Sequence, residues 1–300
     1  MFAQTRIIHY YVCLGAASGK ECKVFMKIKK FGLIGLIICI VIGIIFFFPQ
    51  NNQKETKKIK KEKNMISYEH SENKERYQTY QKEHPNLSKK EVITLVNMNR
   101  DFDFYGKIIK QKHPNDLNTI VNKYYQLDEN YEPNDLVDIN TNAGTYGKPY
   151  SKHTARKVVY NDFQALKQAC LNKGFELYVS SGYRSTTWQK EIYNHMVETY
   201  SVERADETCS RPGHSEHTTG LGLDIALDQY KYEEVENHPQ YQWFLSQLSN
   251  YGFILRYPKD KENLTGYSYE AWHIRYVGKE LAQKIEKSGL TFDEYYARHF

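Results

Sequence analysis

The hydrophobic and polar positions of the chain fall into three zones with different patterns. Residues 31–48 are an uninterrupted apolar run of 18 residues, residues 49–85 are polar and charged, and the rest mixes helical and alternating apolar periodicity. As a helix, the apolar run would span about 27 Å, close to the thickness of the hydrocarbon core of a bilayer. We therefore predict one transmembrane helix, then a polar linker, then a folded domain at 86–300.

The charges around the apolar run bear on its orientation and processing. Three lysines at 27–30 precede the run, which favours a cytoplasmic N-terminus (1–30) and a cell-membrane protein whose folded domain is extracytoplasmic. Six further lysines at 54–63 weaken this asymmetry. No small-residue cleavage site follows the run, so an uncleaved signal anchor fits better than a cleaved signal peptide. Because a short basic segment before the run is typical of an anchor start, our hypothesis is that translation begins at Met26 and that 1–25 are not translated.

Beyond residue 85, apolar residues recur at both helical and strand spacing. Helical periodicity with capping residues predicts helices at 88–95, 159–170, 185–199, 239–250, 279–287 and 291–299. Runs rich in apolar residues predict strands at 175–181, 220–227, 253–257 and 272–277, and 135–151 is expected to be a loop. In the third helix, Trp188, Ile192 and Met196 share one face. Because helices and strands do not alternate regularly, the pattern indicates an α+β domain.

Composition changes this picture little. Hydrophobic residues make up 40% of the chain and charged residues 26%, with a formal net charge of +5. These values are those of an ordinary globular protein, so the function must be sought in short motifs. Of the five cysteines, only Cys170 and Cys209 follow the apolar run, and the sequence leaves open whether they form a disulfide.

Three polar stretches carry candidate chemistry. They lie at 181–185, 215–224 and 270–273, and the last two contain His217, Asp224 and His273. Two histidines and one carboxylate form a ligand set that holds Zn²⁺ tetrahedrally and leaves the fourth position for water, as catalytic zinc sites do. Glu270 precedes His273 by three residues and could accept a proton from that water. Because this segment is predicted to be a strand, we expect Glu270 at the mouth of the strand or on a bulge.

The same stretches resemble a known family. Residues 215–224 fit the pattern SxHxxGxxxD and residues 270–273 fit ExxH, both typical of the VanY-type D-alanyl-D-alanine carboxypeptidases. The chain is equally similar to their LD-carboxypeptidase relatives of the LdcB type. The sequence Tyr-Arg-Ser at 183–185 also resembles the family, and the resemblance covers about 115–280. One departure is Ala271, where the family usually has proline, but this change removes no catalytic atom.

The resemblance implies a fold, a cofactor and a set of site residues. The fold is the α+β hedgehog/DD-peptidase fold, with a zinc site on a central antiparallel sheet. By position, the resemblance implies zinc ligands at His217, Asp224 and His273, catalytic residues at Glu270 (general base) and Arg184 (oxyanion or substrate), and substrate-binding residues at Ser215, Gln189 and Tyr183.

The expected function is therefore removal of C-terminal D-alanine from peptidoglycan stem peptides, of the D-Ala-D-Ala or the LD type. The expected partners are these peptides and, through the anchor, the membrane; no nucleic acid is expected. Two alternatives stay open at this point: a peptidoglycan endopeptidase, and a zinc-binding wall module without catalysis. The complete set of Glu270, Arg184 and the three ligands argues against the second.

Overall fold

The computed structural model describes residues 66–139 and 153–300. They belong to a compact unit that runs from Ile66 to Phe300. The predicted transmembrane segment at 31–48 lies outside the described residues, as does the linker up to residue 65. Within the described ranges, the structure contains no helix with the length and apolar character needed to cross a membrane.

The strands of the described ranges form one central sheet and two small pairs. In chain order they are β1 (Ile109–Lys110), β2 (Tyr125–Gln126), β3 (Leu136–Asp138), β4 (Thr154–Arg156), β5 (Leu177–Ser181), β6 (Gly222–Leu227), β7 (Phe253–Leu255) and β8 (His273–Tyr276). The central sheet has the order β5-β6-β8-β7, and every neighbouring pair is antiparallel. The expected α+β fold with a central antiparallel sheet is confirmed.

The described ranges also contain α-helices. They are α1 (Lys74–Glu83), α2 (Lys89–Asn97), α3 (Lys157–Lys173), α4 (Thr186–Thr199), α5 (Val202–Thr208), α6 (Tyr241–Gln247), α7 (Glu262–Thr265), α8 (Lys279–Ser288) and α9 (Phe292–His299). Short 3₁₀ turns lie at Ser71–Asn73, Glu216–Thr219, Tyr232–Asn237 and Leu248–Tyr251. The predicted helix starts at Ser88, Ser185 and Thr291 agree with the structure to within one residue because local capping residues define them. Ser88 and Thr291 form capping boxes with Glu91 and Glu294, and Gly174 ends α3 with φ 98°.

The two faces of the central sheet differ in chemistry. In β6 and β8, the alternate residues Leu223, Ile225 and Ile274 join the main hydrophobic core together with residues of α3 and α6. The residues between them, which include Asp224 and His273, therefore point to the opposite face. Strand periodicity thus places the chemistry-bearing side chains on one face and the apolar core on the other.

Two segments differ from the sequence expectation. β3 lies in the segment 135–151 that was expected to be a loop; it is only three residues long and pairs with β4, a partner that local sequence does not reveal. α1 and the turn before it belong to the compact unit, although 49–85 reads as a linker. The apolar content of α1 is low, and its docking depends on Tyr77, which is buried and bonds Asn97, and on Arg76, which binds both carboxylate oxygens of Asp101.

The apolar face predicted for the helix at 185–199 is not part of the core. The helix forms as α4, with Ser185 accepting a hydrogen bond from the Trp188 amide at its N-terminus. Trp188, however, is 50% exposed, and the buried residue of α4 is Gln189. The reason is that Gln189 faces polar partners in the functional site described below. Periodicity alone identified the helix but not the side that it buries.

The two cysteines that could have paired do not do so. Cys170 lies in α3 and belongs to the main hydrophobic core, and Cys209 follows α5. Both are buried and neither forms a disulfide with the other. Burial raises the pKa of both thiols, to about 12 for Cys170 and about 11 for Cys209. Both side chains therefore act as small apolar groups at neutral pH.

We expect Ile93→Ala to lower the free energy of unfolding by about 2–5 kcal/mol, because it leaves a cavity between α1 and α2. Ile93 is fully buried in a cluster with Tyr77, Val92 and Val96. Leu171→Ala is the control, since Leu171 is 41% exposed on α3 and should change stability by about 0.5 kcal/mol or less. Urea unfolding measures both. Equal effects would show that this N-terminal helix pair is not part of the cooperative unit.

Candidate metal centre and active site

Three potential ligands converge on the polar face of the central sheet. His217, Asp224 and His273 each offer one ligand atom, and these atoms all lie within 4.8 Å of one another. Asp224 in β6 and His273 in β8 are direct cross-strand partners, so the sheet register brings them together. His217 comes from the 3₁₀ turn Glu216–Thr219, which Gly220 ends with φ 66° just before β6. This cluster is the one that the sequence predicted as a zinc site.

The backbone before α4 orients the imidazole of His217. Its Nδ1 lies 2.7 Å from the carbonyl oxygen of Gly182, which accepts the N–H of this nitrogen. The Nε2 atom is thereby turned to the cluster, 3.2 Å from Asp224 Oδ2. Gly182 has to be glycine for steric reasons, because a Cβ there would collide with the carbonyl oxygen of Thr154. The Gly182 carbonyl thus determines which nitrogen of His217 remains available for a metal.

His273 lies between two carboxylates. Its Nδ1 is 2.9 Å from Asp224 Oδ1, and its Nε2 is 3.4 Å from Glu216 Oε2. Sequence reasoning missed Glu216, although it lies inside the SxHxxGxxxD motif, next to His217. A buried carboxylate needs positive partners, and the sequence signal for these would have been Arg275, two residues after His273. Arg275 is fully buried and lies 3.0 Å from Glu216.

The electrostatic field of the cluster favours a cation. Burial lowers the pKa of His217 to about 4, and the charge of Arg184 adds to this, so the ring is neutral and has a free lone pair. Burial alone would lower the pKa of His273, but its hydrogen bonds to Asp224 and Glu216 raise it to about 9. Burial would raise the pKa of Asp224, but His217 and His273 hold it well below its usual range. The negative carboxylates beside His273 and the neutral ring of His217 together suit a divalent metal ion.

Glu270 lies at the mouth of β8, as expected from the sequence. One carboxylate oxygen is 3.8 Å from His273 Nδ1, and the side chain is 14% exposed. Its backbone amide donates to the carbonyl oxygen of Tyr257, which fixes the segment that approaches the strand. Burial raises the pKa of Glu270 to about 7. A carboxylate with this pKa can take up and return a proton near neutral pH.

Arg184 brings a positive charge to the same site. Its guanidinium donates to Gln189 Oε1 at 3.1 Å and to Asp224 Oδ2 at 3.4 Å. Its buried Nε atom finds no hydrogen-bond acceptor among the described residues. A buried donor without a partner is costly, which indicates that this one is used by a bound group. Arg184 can therefore bind an anionic oxygen next to the metal ligands.

The three predicted substrate contacts lie near this centre but differ in accessibility. Gln189 is 1% exposed and binds Arg184, the carbonyl oxygen of Ser210 and the thiol of Cys209. It thus holds Arg184 in place from within the protein. Ser215 is also buried, whereas Tyr183 is partly exposed beside Arg184. Their roles in substrate binding stay predictions.

The comparisons with known proteins agree on one family. The profile of the VanY family, described as D-alanyl-D-alanine carboxypeptidase, matches residues 152–279. YodJ of Bacillus subtilis, which is named as a putative carboxypeptidase, is 38% identical over 62% of this chain and 69% of its own length. VanXYC of Enterococcus gallinarum, a bifunctional D-Ala-D-Ala dipeptidase and carboxypeptidase, is 32% identical over 60% of this chain and 94% of its own length.

Solved structures show the same relationship. The LD-carboxypeptidase LdcB aligns with a TM-score of 0.59 and 36% identity, over 64% of this chain and 90% of LdcB. VanYB, solved in complex with D-Ala-D-Ala, aligns with a TM-score of 0.53 and 31% identity, over 61% of this chain and 98% of VanYB. A variant of the D,D-pentapeptidase VanY, solved with Zn(II), aligns with a TM-score of 0.50 and 32% identity, over 59% of this chain and 97% of that one.

Proposed function

Because this chain belongs to the VanY family of D-alanyl-D-alanine carboxypeptidases, we propose that it removes C-terminal D-alanine from peptidoglycan stem peptides with Zn²⁺ as cofactor. The observation that carries the proposal is the convergence of His217, Asp224 and His273 with Glu270 and Arg184 in one site. The ligands alone would suit a metal-binding module. The addition of a base and an anion-binding group makes the site suitable for peptide hydrolysis.

The donor atoms fit zinc. His217 Nε2, one oxygen of Asp224 and His273 Nδ1 form a nitrogen and oxygen ligand set with three members, as in catalytic zinc sites. The other ring nitrogens face protein oxygens, the Gly182 carbonyl for His217 and Glu216 Oε2 for His273, which is the usual support for a metal-bound histidine. When bound, Zn²⁺ supplies Lewis acidity, which polarises a carbonyl oxygen and makes water easier to deprotonate.

Glu270 is the proton carrier of the proposed reaction. With a pKa raised by burial to about 7, its carboxylate accepts the proton of the attacking water. The same proton is then passed to the nitrogen of the leaving D-alanine when the peptide bond breaks. Glu270 lies beside the three ligands without being one of them, with one carboxylate oxygen 3.8 Å from His273 Nδ1.

Arg184 stabilises negative charge next to the scissile bond. Its Nε, which has no acceptor within 66–139 and 153–300, can donate either to the oxygen that becomes negative during the attack or to the terminal carboxylate of the substrate. Gln189 accepts a hydrogen bond from the guanidinium, which itself lies 3.4 Å from Asp224. A carboxypeptidase needs such a cation because its substrate ends in a free carboxylate.

To test the proposal, the purified protein is incubated with muropeptides, and the masses of the products are measured by mass spectrometry. We expect the loss of one D-alanine, from pentapeptides for a D-Ala-D-Ala enzyme or from tetrapeptides for an LD enzyme. His217→Ala is the control for contaminating activity, because it lacks one ligand. Cleaved cross-links would identify an endopeptidase instead, and unchanged masses would identify a binding module.

We expect Glu270→Gln to retain zinc and to lose at least about 100-fold in D-alanine release, because an amide of equal size cannot accept the proton. Metal analysis and product release are measured on the same preparation. Near-normal release from the zinc-loaded variant would refute the role as base, whereas loss of zinc would make Glu270 a ligand.

A membrane location also belongs to this proposal. The apolar run at 31–48 would anchor the chain in the cell membrane, with the catalytic domain outside, where stem peptides are found. Protease treatment of intact, wall-stripped cells should then remove the domain. Full protection in intact cells, followed by cleavage after lysis, would contradict this location.

A further inference from the structure

A fully buried charge cluster lies directly behind the metal centre, and the reaction described above does not use it. It consists of Glu216 from the turn before β6, Arg256 just after β7, Arg275 from β8 and Asp293 from α9. None of these side chains is more than 3% exposed. Burying charges is costly unless they are paired, so a cluster of four requires an explanation.

The contacts within the cluster lead from α9 to the metal centre. Asp293 accepts two hydrogen bonds from Arg256, at 2.6 and 3.1 Å. Arg256 Nε donates to Glu216 Oε1 at 2.7 Å, and the second oxygen of Glu216 faces His273 Nε2 at 3.4 Å. Asn122 also donates to Asp293, at 2.7 Å, and so holds the outer end of this chain of contacts.

Two arginines hold Glu216 from one side, which leaves only one of its oxygens for His273. Arg256 Nε and Arg275 Nη1 both approach Oε1, at 2.7 and 3.0 Å. The carboxylate cannot turn away without breaking these ion pairs. Oε2 is thereby fixed as an acceptor, and only a protonated Nε2 of His273 can satisfy it. The nitrogen left for the metal is then Nδ1, the atom that faces Asp224.

The backbone also leaves room for this ring position. A Cβ at Gly222 would lie only 3.2 Å from His273 Cε1 and Nε2. Gly222 pairs with Arg275 in the sheet, so the strand itself brings its α-carbon close to the edge of the ring. The ring of His273 is therefore confined between Gly222, Glu216 and Asp224.

We propose that Glu216 is a positioning residue that fixes the Nε2–H tautomer of His273, and that Arg256 and Asp293 make α9 part of the support of the zinc site. This proposal rests on the proposed zinc function but not on the substrate. Since Asp293 lies beyond residues 152–279, the segment that matches the family profile, it extends the metal site into the C-terminal helix. The two positive and two negative charges balance, so loss of Glu216 would leave excess positive charge behind a metal ligand.

The first test examines the wild-type tautomer. The full-length chain, solubilised in detergent and labelled with ¹⁵N-histidine, is loaded with Zn²⁺, and the ring nitrogens are observed by NMR. We expect one zinc-bound ring coordinated through Nε2, which is His217, and one coordinated through Nδ1, which is His273. Two rings bound through Nε2 would overturn the proposal whatever the enzyme's substrate.

The second test measures zinc affinity by competition with a chelator. We expect Glu216→Gln to weaken zinc binding by about 10- to 100-fold, as the loss of a carboxylate that supports a metal-bound histidine does. For Asp293→Asn we expect a smaller loss, about 3- to 10-fold, because Asp293 acts on Glu216 only through Arg256. Circular dichroism of the metal-free proteins checks that each variant is folded. An affinity within twofold of wild type in folded Glu216→Gln would also overturn the proposal.

Asp101→Asn is the matched control. Asp101 accepts two hydrogen bonds from Arg76, as Asp293 does from Arg256, but it lies outside the cluster. A purely structural role of Asp293 predicts that both Asp→Asn variants lose stability and keep their zinc affinity. Reduced affinity in Asp293→Asn alone supports the proposal. If Glu216→Gln does not fold, this pair of variants and the wild-type tautomer decide the question. Loss of D-alanine release is not used, so a failure of the proposed reaction would not affect these results.

Discussion

The register between β6 and β8 is the constraint on which the site depends. It places Asp224 directly opposite His273, and it sets Leu223 and Ile274 on the other face, in the core. Because side chains alternate along a strand, a slip of one residue would bury the ligands in the core and expose the apolar residues. The hydrophobic core therefore stabilises the register, and the register in turn assembles the metal ligands. Stability and function are coupled through the same two strands.

A sheet with a polar inner face has to satisfy buried charges. Arg256 and Arg275 are fully buried, and they are balanced by Glu216 and Asp293. Replacement of one member would leave a buried charge without its partner, which costs more than the pair contributes. The same arrangement holds oxygen and nitrogen atoms in fixed positions around His273. Rigid surroundings with balanced charges are what a metal site needs if it is to hold its ligands before the ion binds.

Burial and neighbouring charges shift the pKa values of two neighbouring groups in opposite directions, and these shifts fit their proposed roles. His217 is kept neutral by burial and by Arg184, whereas burial raises the pKa of Glu270 toward neutrality. One environment thus favours a lone pair for the metal and the other favours a carboxylate that can exchange a proton. Gln189, the buried residue of α4, accepts a hydrogen bond from Arg184 and so holds this arginine in the site, whereas Trp188 of the same helix is exposed. A neutral metal ligand, His217, and a group that exchanges protons, Glu270, therefore lie in the same site.

The sequence by itself determined the helices with capping signals, the four core strands and the motifs that contain His217, Asp224 and His273, since periodicity and spacing are local properties. It did not reveal β3, the docking of α1 or the buried face of α4, whose partners lie elsewhere in the chain. Only the tertiary structure decided the role of Glu216, because its partners Arg256 and Arg275 are 40 and 59 positions away along the chain. A buried carboxylate is recognised by the charges folded around it, and a linear pattern does not contain that information.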